Sequence, residues 1–312
     1  MAKSLSKAPK MYARFKSPSD RIFDFFNIIF MICLVIVTLY PFANTLAVSL
    51  NTANDSLKGG IYLWPREFTW ENYKYVFEEA TIFHATLISA LRTVIGTVLS
   101  VFCCTMVAYT IARPEYVLRK FISIAFILTM YFSGGLIPNF LLVRELGLMN
   151  SFWVYIIPGL IGVFNVIIIR SFIEKLPEGI LESARIDGAG EFTTFLRVVL
   201  PLCLPVIATV SLFSAVAQWN SWFDVFLYNS SNVNLSTLQY ELMKILQNSN
   251  ASMNSGNDYA SMFSGSEASI NRVTPTSIRA TMTIVASVPI IMVYPFLQKY
   301  FVQGMTLGGV KG

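Results

Sequence analysis

Phe25–Asn54 reads FFNIIFMICLVIVTLYPFANTLAVSLNTAN and holds no charged residue. About 20 predominantly apolar helical residues cross the hydrocarbon core of a bilayer. The run therefore predicts a transmembrane helix, placed at residues 22–50. The basic residues ahead of it, among them Lys3, Lys7, Lys10, Arg14, Lys16 and Arg21, look like the start of a secretory signal. The apolar block is about twice too long for one and lacks a cleavage motif, so it reads as a retained first span.

Outward from that run, further stretches repeat the pattern. Thr93–Ala112 is uncharged and extends back through Arg92 to about Ile82. Phe121–Val143, Leu146–Ile169, Val198–Phe223 and Ala280–Gln298 are uncharged as well. Gly96, Pro138, Pro158, Pro205, Pro289 and Pro295 fall inside these runs. Packed membrane helices tolerate them because neighbours re-satisfy the freed backbone groups. The expected fold is an all-α membrane protein with six transmembrane helices.

Composition agrees. The 312 residues are 54% hydrophobic and only 13% charged, with a mean hydropathy of +0.58. A soluble domain carries about a quarter of its residues as charges, so lipid must solvate much of this chain. The net charge of +5 would suit nucleic acid only if Lys and Arg clustered on a soluble face. Here they sit in short segments between apolar blocks, where they set orientation. Their excess on the side of the N-terminus places both termini in the cytoplasm, with 51–81 and the Ser/Asn-rich 229–277 outside. Leu238–Leu246 is a candidate short helix in the latter.

Several chemistries are excluded. Cys33, Cys103, Cys104 and Cys203 all lie in apolar runs without a Cys-x-x-Cys pair, which argues against disulfides and zinc. The only histidine is His84; one His builds neither a metal site nor, without a Ser or Cys and an acid nearby, a triad. It is read as a packing residue at the start of a span. No Gly-x4-Gly-Lys-Ser/Thr phosphate loop is present. The chain is expected to bind no cofactor, to carry no catalytic residue and not to be an enzyme.

Between the fourth and fifth runs lies Leu176-Pro-Glu-Gly-Ile-Leu-Glu182-Ser183-Ala184-Arg185-Ile186-Asp187-Gly188-Ala189-Gly190-Glu191. Pro177 suits a first helical position and Glu178 the positive end of the helix dipole. Gly188 and Gly190 are natural terminators. A short helix over about Pro177–Asp187 should lie outside the bilayer, with Ser183 and Ala184 on its surface for close approach by another protein and Glu182 and Asp187 offering charge. On these residues alone, a solvated connector is the simpler reading.

The spacing Glu182-Ser183-Ala184-x3-Gly188-x9-Val198-x-Leu200-Pro201 resembles the EAA loop of ABC importer permeases, Glu-Ala-Ala-x3-Gly-x9-Ile-x-Leu-Pro, with Ser183 and Val198 as the departures. Asp187-Gly188-Ala189 and the tail Gly304–Gly312 are similar to the maltose-type carbohydrate branch. Trp219-Asn220-Ser-Trp222-Phe-Asp224 and Tyr294–Tyr300 are similar to the branch handling complex oligosaccharides. The resemblance implies a type I ABC importer core at 82–304, with a cytoplasmic coupling helix in a loop at 174–197 and tails at 1–21 and 305–312. It implies a bacterial plasma membrane protein forming half of an oligosaccharide channel. Its partners would be a second homologous permease, two ATPase subunits that hold ATP and Mg, and an extracellular solute-binding protein. Glu182, Ser183, Ala184, Arg185, Asp187 and Gly188 would then be the ATPase-coupling residues. The competing reading is an ion-coupled secondary sugar transporter.

Two features stay open on sequence. Arg92 interrupts the second run, where a charge either faces a cavity or partner or snorkels outward. Trp219, Asn220, Trp222 and Asp224 end the fifth run. The tryptophans suit an aromatic belt, and the whole set suits a gate or sugar contact. Asn27, Asn44, Asn139 and Asn165 are candidate inter-helix hydrogen-bonding groups.

Overall fold

The computed structural model describes residues 18–78, 80–255 and 274–309. The extreme tails, residue 79 and residues 256–273 of the Ser/Asn-rich segment fall outside that range. Among the described residues the chain is helical, with one isolated antiparallel bridge, Asn51–Phe68, and no named strand.

Helix α1 (Pro18–Ser49) carries the first run. Its apolar window is exposed throughout, as expected of a helix apolar on every face whose solvent is lipid. Short helices α2 (Ala53–Leu57) and α3 (Glu71–Glu78) occupy the segment between the first and second runs. Helix α4 (Ala80–Ala112) covers the second run without interruption, Arg92 and Gly96 included.

The next two runs are not single straight helices. The third divides into α5 (Arg119–Tyr131) and α6 (Leu136–Glu145), bent by 119° at the intervening break. Gly134 and Gly135 cause it: Gly135 adopts φ +89°, a conformation that side chains with a Cβ rarely take. In the fourth run, Gly147, Pro158, Gly159 and Gly162 leave only a 3₁₀ turn (Phe152–Tyr155) and α7 (Val163–Ile173). At 11 residues, α7 is too short to cross alone.

The loop helix is α8 (Glu178–Ile186). The chain then passes through α9 (Glu191–Thr194), a π turn (Phe195–Val199) and α10 (Leu200–Leu202) into α11 (Leu204–Asn220). Pro201 and Pro205 flank Cys203, and the two halves bend by 81° there. Helices α12 (Phe223–Tyr228), α13 (Leu238–Ser255) and α14 (Pro275–Gly309) complete the chain. Length and composition thus give three helices able to cross a membrane, or five if each bent pair is one span. This does not confirm the expected count of six transmembrane helices.

Helix α4 packs most extensively on α11 and α7. Small and β-branched residues fill the seam: Cys104, Ala108, Val166, Val199, Cys203 and Val210 are fully buried. Close backbone approach drives association where lipid removes the hydrophobic difference between partners. The cysteines are all free thiols. Around Trp219 a second cluster joins Val76, Leu238 and Met282, and the indole N–H donates to the Ala286 carbonyl at 2.9 Å. Trp219→Ala should therefore lower the thermal midpoint of the detergent-purified protein, through a loss of about 3–5 kcal/mol. Cys33→Ala, on the lipid-exposed face of α1, should leave the midpoint within error; a scan showing equal shifts would contradict the placement of Trp219.

Candidate transport and coupling sites

Arg92 is 2% exposed, deep in an apolar helix. A cation at mid-membrane costs roughly 2.5–3.5 kcal/mol on insertion scales and demands partners. The structure supplies them from α11 and the break behind it. Nη2 and Nη1 donate to the two carboxylate oxygens of Asp224 at 2.5 and 3.2 Å. Nε and Nη2 both donate to Gln218 Oε1, at 3.2 and 3.1 Å, and Nη1 donates to the Ser221 carbonyl at 3.3 Å. All five guanidinium hydrogens are thereby used. The plane lies over the Tyr155 ring, 4.4 Å from its centroid. Arg92 does not snorkel; it pairs inward.

Gly96 makes room for this arrangement. A Cβ there would stand 2.9 Å from Gln218 Nε2, the amide that donates to the Tyr155 carbonyl at 3.3 Å. Asp224 is further fixed by the Ser221 hydroxyl and the Val225 N–H, each at 3.0 Å. Below the pair opens a cavity of about 490 Å³ lined by Arg92, Asp224, Gln218, Ser100, Asn165 and Ser214 among others. Asn165 donates to Ser214 at 3.2 Å, so it acts between helices and faces the cavity together.

The candidate gate residues separate. Arg92 and Asp224 share the polar cavity. Trp219 is buried against α14 and occupies neither an aromatic belt nor the cavity wall. Asn220 turns back to the Val216 carbonyl at 2.9 Å. With Trp219 it borders a different, apolar groove between α11 and α14. Trp222 makes edge contacts with Phe223 and a tilted contact with Phe226.

At the other end of α4, α8 projects with Glu182, Ser183, Arg185, Ile186, Asp187 and Gly188 exposed. It ends in a Schellman motif: Ala189 N–H reaches the Ala184 carbonyl, and Gly188 N–H the Arg185 carbonyl, each at 3.0 Å. Such a motif needs a left-handed residue, and Gly188 has φ +77°. Ala184 is buried, so its expected surface position is corrected. With Leu181 three residues before it (a spacing that shares one helix face), it roots α8 in the body, and close approach is left to Ser183.

Arg185 also serves the fold. It pairs with Glu115 in the α4–α5 turn at 2.8 Å and with Glu191 at 3.6 Å. Glu191 accepts from Tyr109 at 2.5 Å and from Arg113 at 3.1 Å. The Glu115 carboxyl is held below its ordinary range by its own backbone N–H and then by Arg185; the same pairing raises Arg185. Glu182 and Asp187 form no ion pair among the described residues.

Residues 10–307 match the family of binding-protein-dependent transport system inner membrane components. The chain belongs to that family. It is 36% identical to the polygalacturonan/rhamnogalacturonan transport system permease protein YtcP of Bacillus subtilis, covering 94% of this chain and 99% of that one. It is also 36% identical to protein LplC of the same organism, over 97% of this chain and 99% of that one. Among solved structures it is similar to a chain of a bacterial ABC transporter involved in the import of the acidic polysaccharide alginate. The TM-score is 0.80 at 26% identity, covering 92% of this chain and 99% of that chain.

In this permease, sequence reasoning missed Gln218, Tyr155, Glu115 and Glu191. A glutamine near the end of an apolar run and a tyrosine after a Ser-Phe-Trp turn carry no local signal of their partner, which lies 126 residues away for Gln218. Removing one member of a buried pair costs about 3–5 kcal/mol, whereas replacing both by apolar groups is often near neutral. Arg92→Met should thus destabilise the purified permease much more than Arg92→Met combined with Asp224→Leu. Thermal unfolding of the two variants checks this, and additive losses would contradict the pairing.

Proposed function

We propose that this permease forms half of the translocation path of an ATP-driven oligosaccharide importer, and that α8 is the lever through which a separate ATPase moves it. The observation that carries the reading is the build of α8. It is a short exposed helix rooted by Ala184 and Leu181, stopped by Gly188, and presenting Glu182 without an ion-pair partner among the described residues. Its position in the spaced motif supports the same role. In this reading a second, homologous permease completes the path, and ATP and Mg bind only in two ATPase subunits. An extracellular solute-binding protein delivers the sugar, and both termini face the cytoplasm. ATPase closure draws the coupling helices together and rocks the permeases between inward- and outward-facing states, a rigid-body route to alternating access. The similarity to permeases of polygalacturonan and alginate systems supports a glycan as the cargo, and the cavity beneath Arg92 is proposed as its path.

Ion coupling is the second reading, favoured by one observation: an ionisable pair inside the membrane. Asp224 is bound on both oxygens to Arg92, an arrangement that already occupies the carboxylate a coupling ion would need. Uptake abolished by an ionophore while cellular ATP is held constant would favour that alternative.

Glu182→Lys should leave expression intact but remove both co-purification of the ATPase and its transport-stimulated hydrolysis; wild-type levels of both would overturn the docking role. The Arg185–Glu115 pair is substantially exposed, with side chains 42% and 57% accessible, and such pairs stabilise by no more than about 1 kcal/mol. Arg185→Glu or Glu115→Arg should therefore fold normally yet lower uptake per ATP hydrolysed, and the double reversal should restore it. Equal coupling ratios in all four proteins would contradict a positioning role for the pair.

A further inference from the structure

The first outer segment is stiff at its base and apolar at its tip. Asn51, fully buried, accepts the Glu67 N–H at 2.9 Å and donates to Asp55 at 3.0 Å. Asp55 in turn holds Arg66 at 2.9 Å. Asn72 donates to the carbonyls of Ser49 and Asn51, each at 2.9 Å. Yet the tripeptide carried by this scaffold, Tyr62-Leu63-Trp64, is 66%, 61% and 84% exposed. Large apolar side chains presented together on a rigid support mark an interaction surface.

The height of that surface is fixed by Asn44. Its side-chain amide donates to the Ile61 carbonyl at 2.7 Å and to the Tyr62 carbonyl at 2.9 Å. The segment therefore folds back beside α1, to a level before the helix ends at Ser49. A hydrocarbon core of about 30 Å takes about 20 residues at roughly 1.5 Å each. Counted from Ile22, just after Arg21, those residues end at Pro41; counted from Phe25, where the uncharged run begins, they end at Asn44. Asn44 thus lies between the edge of the hydrocarbon and about 5 Å beyond it, inside the headgroup layer, which is about 5–7 Å deep on each side. Asn44 supplies the donor for both carbonyls, so the turn stays satisfied even at the edge of the hydrocarbon. The exposed residues of α1 at the same level, Tyr40, Phe42 and Leu46, continue the apolar surface.

We propose that Tyr62-Leu63-Trp64 is a bilayer-interface anchor, seating the outer segment in the headgroup layer beside α1. Tyr and Trp are favoured there because an apolar ring meets hydrocarbon while the O–H or N–H stays wet. The anchor would fix the height of α3, and through it the start of α4, against the membrane. This inference does not depend on what the permease carries.

The test is depth measurement by spin labelling. Leu63→Cys keeps both aromatic residues and is made together with Cys33→Ala and Cys103→Ala, leaving the buried Cys104 and Cys203 in place. The permease, reconstituted with its partners in phosphatidylcholine/phosphatidylglycerol vesicles, is labelled with a nitroxide. Relaxation by oxygen is then compared with relaxation by a water-soluble nickel chelate, with Lys58→Cys as the solvent-side control. The expected result is an oxygen-to-nickel ratio several-fold higher at 63 than at 58, falling toward the control when Asn44→Ala is added. A label at 63 as open to nickel as at 58 would overturn the anchor in favour of a surface facing water. A label shielded from both reagents would overturn it in favour of a protein partner.

Discussion

A guanidinium inside lipid must carry its own solvation shell, and the organisation of this permease around α4 follows from that requirement. Arg92 lies within a 33-residue helix and is 2% exposed, and every one of its hydrogens is met by protein. Part of that shell exists only because α11 ends at Asn220. With the helix interrupted, the Ser221 carbonyl is released to accept from Arg92, and Asp224 can turn back toward α4. The converse holds as well. A broken helix at membrane depth leaves backbone groups that only a protein-lined cavity can satisfy, and Arg92 is the donor that does so here. The buried charge and the broken span each remove the other's penalty.

The end of the molecule that carries α8 solves a different problem with weaker bonds. Helix α8 has little buried surface of its own, with Ala184 its one buried residue. Its direction is set instead by Arg185, which bridges to Glu115 and Glu191. These pairs are exposed and add little to stability, but they determine where the projecting helix points. Strong bonding sits where motion must not disturb solvation, and weak bonding sits where a partner is proposed to pull.

Much of this was legible in the sequence, and the failures have physical causes. Uncharged runs located α1, α4 and α14 because lipid imposes composition directly. The loop helix was legible because Pro177, Glu178 and Gly188 act through local backbone chemistry. The breaks in the third and fourth runs escape hydropathy, which counts Gly134, Gly135, Pro158 and Gly159 as tolerable, whereas their backbone preferences dominate once clustered. Ala184 was assigned to the surface because its small size suits both close docking and tight internal packing; Leu181 beside it decides for packing. Arg92 was visible as an anomaly, but its shell comes from residues more than a hundred positions away, which no local pattern encodes.

Two routes run from α8 to the Arg92 network, one rigid and one jointed, and they begin at the same residue. Through Glu115, Arg185 is tied to the turn that ends α4, whose own Arg113 and Tyr109 hold Glu191. Arg92 sits further along that uninterrupted helix. Through Glu191, Arg185 is tied to α9, which passes by way of the π turn at Phe195–Val199 and the bend at Cys203 into α11, where Gln218 waits. The first route is a straight rod, and the second contains two irregular turns of the kind that collect at functional hinges. A displacement of α8 delivered along both would move Arg92 and Gln218 by different amounts, because only one route can flex. The hydrogen bonds between those two residues are then where shear between α4 and α11 would concentrate.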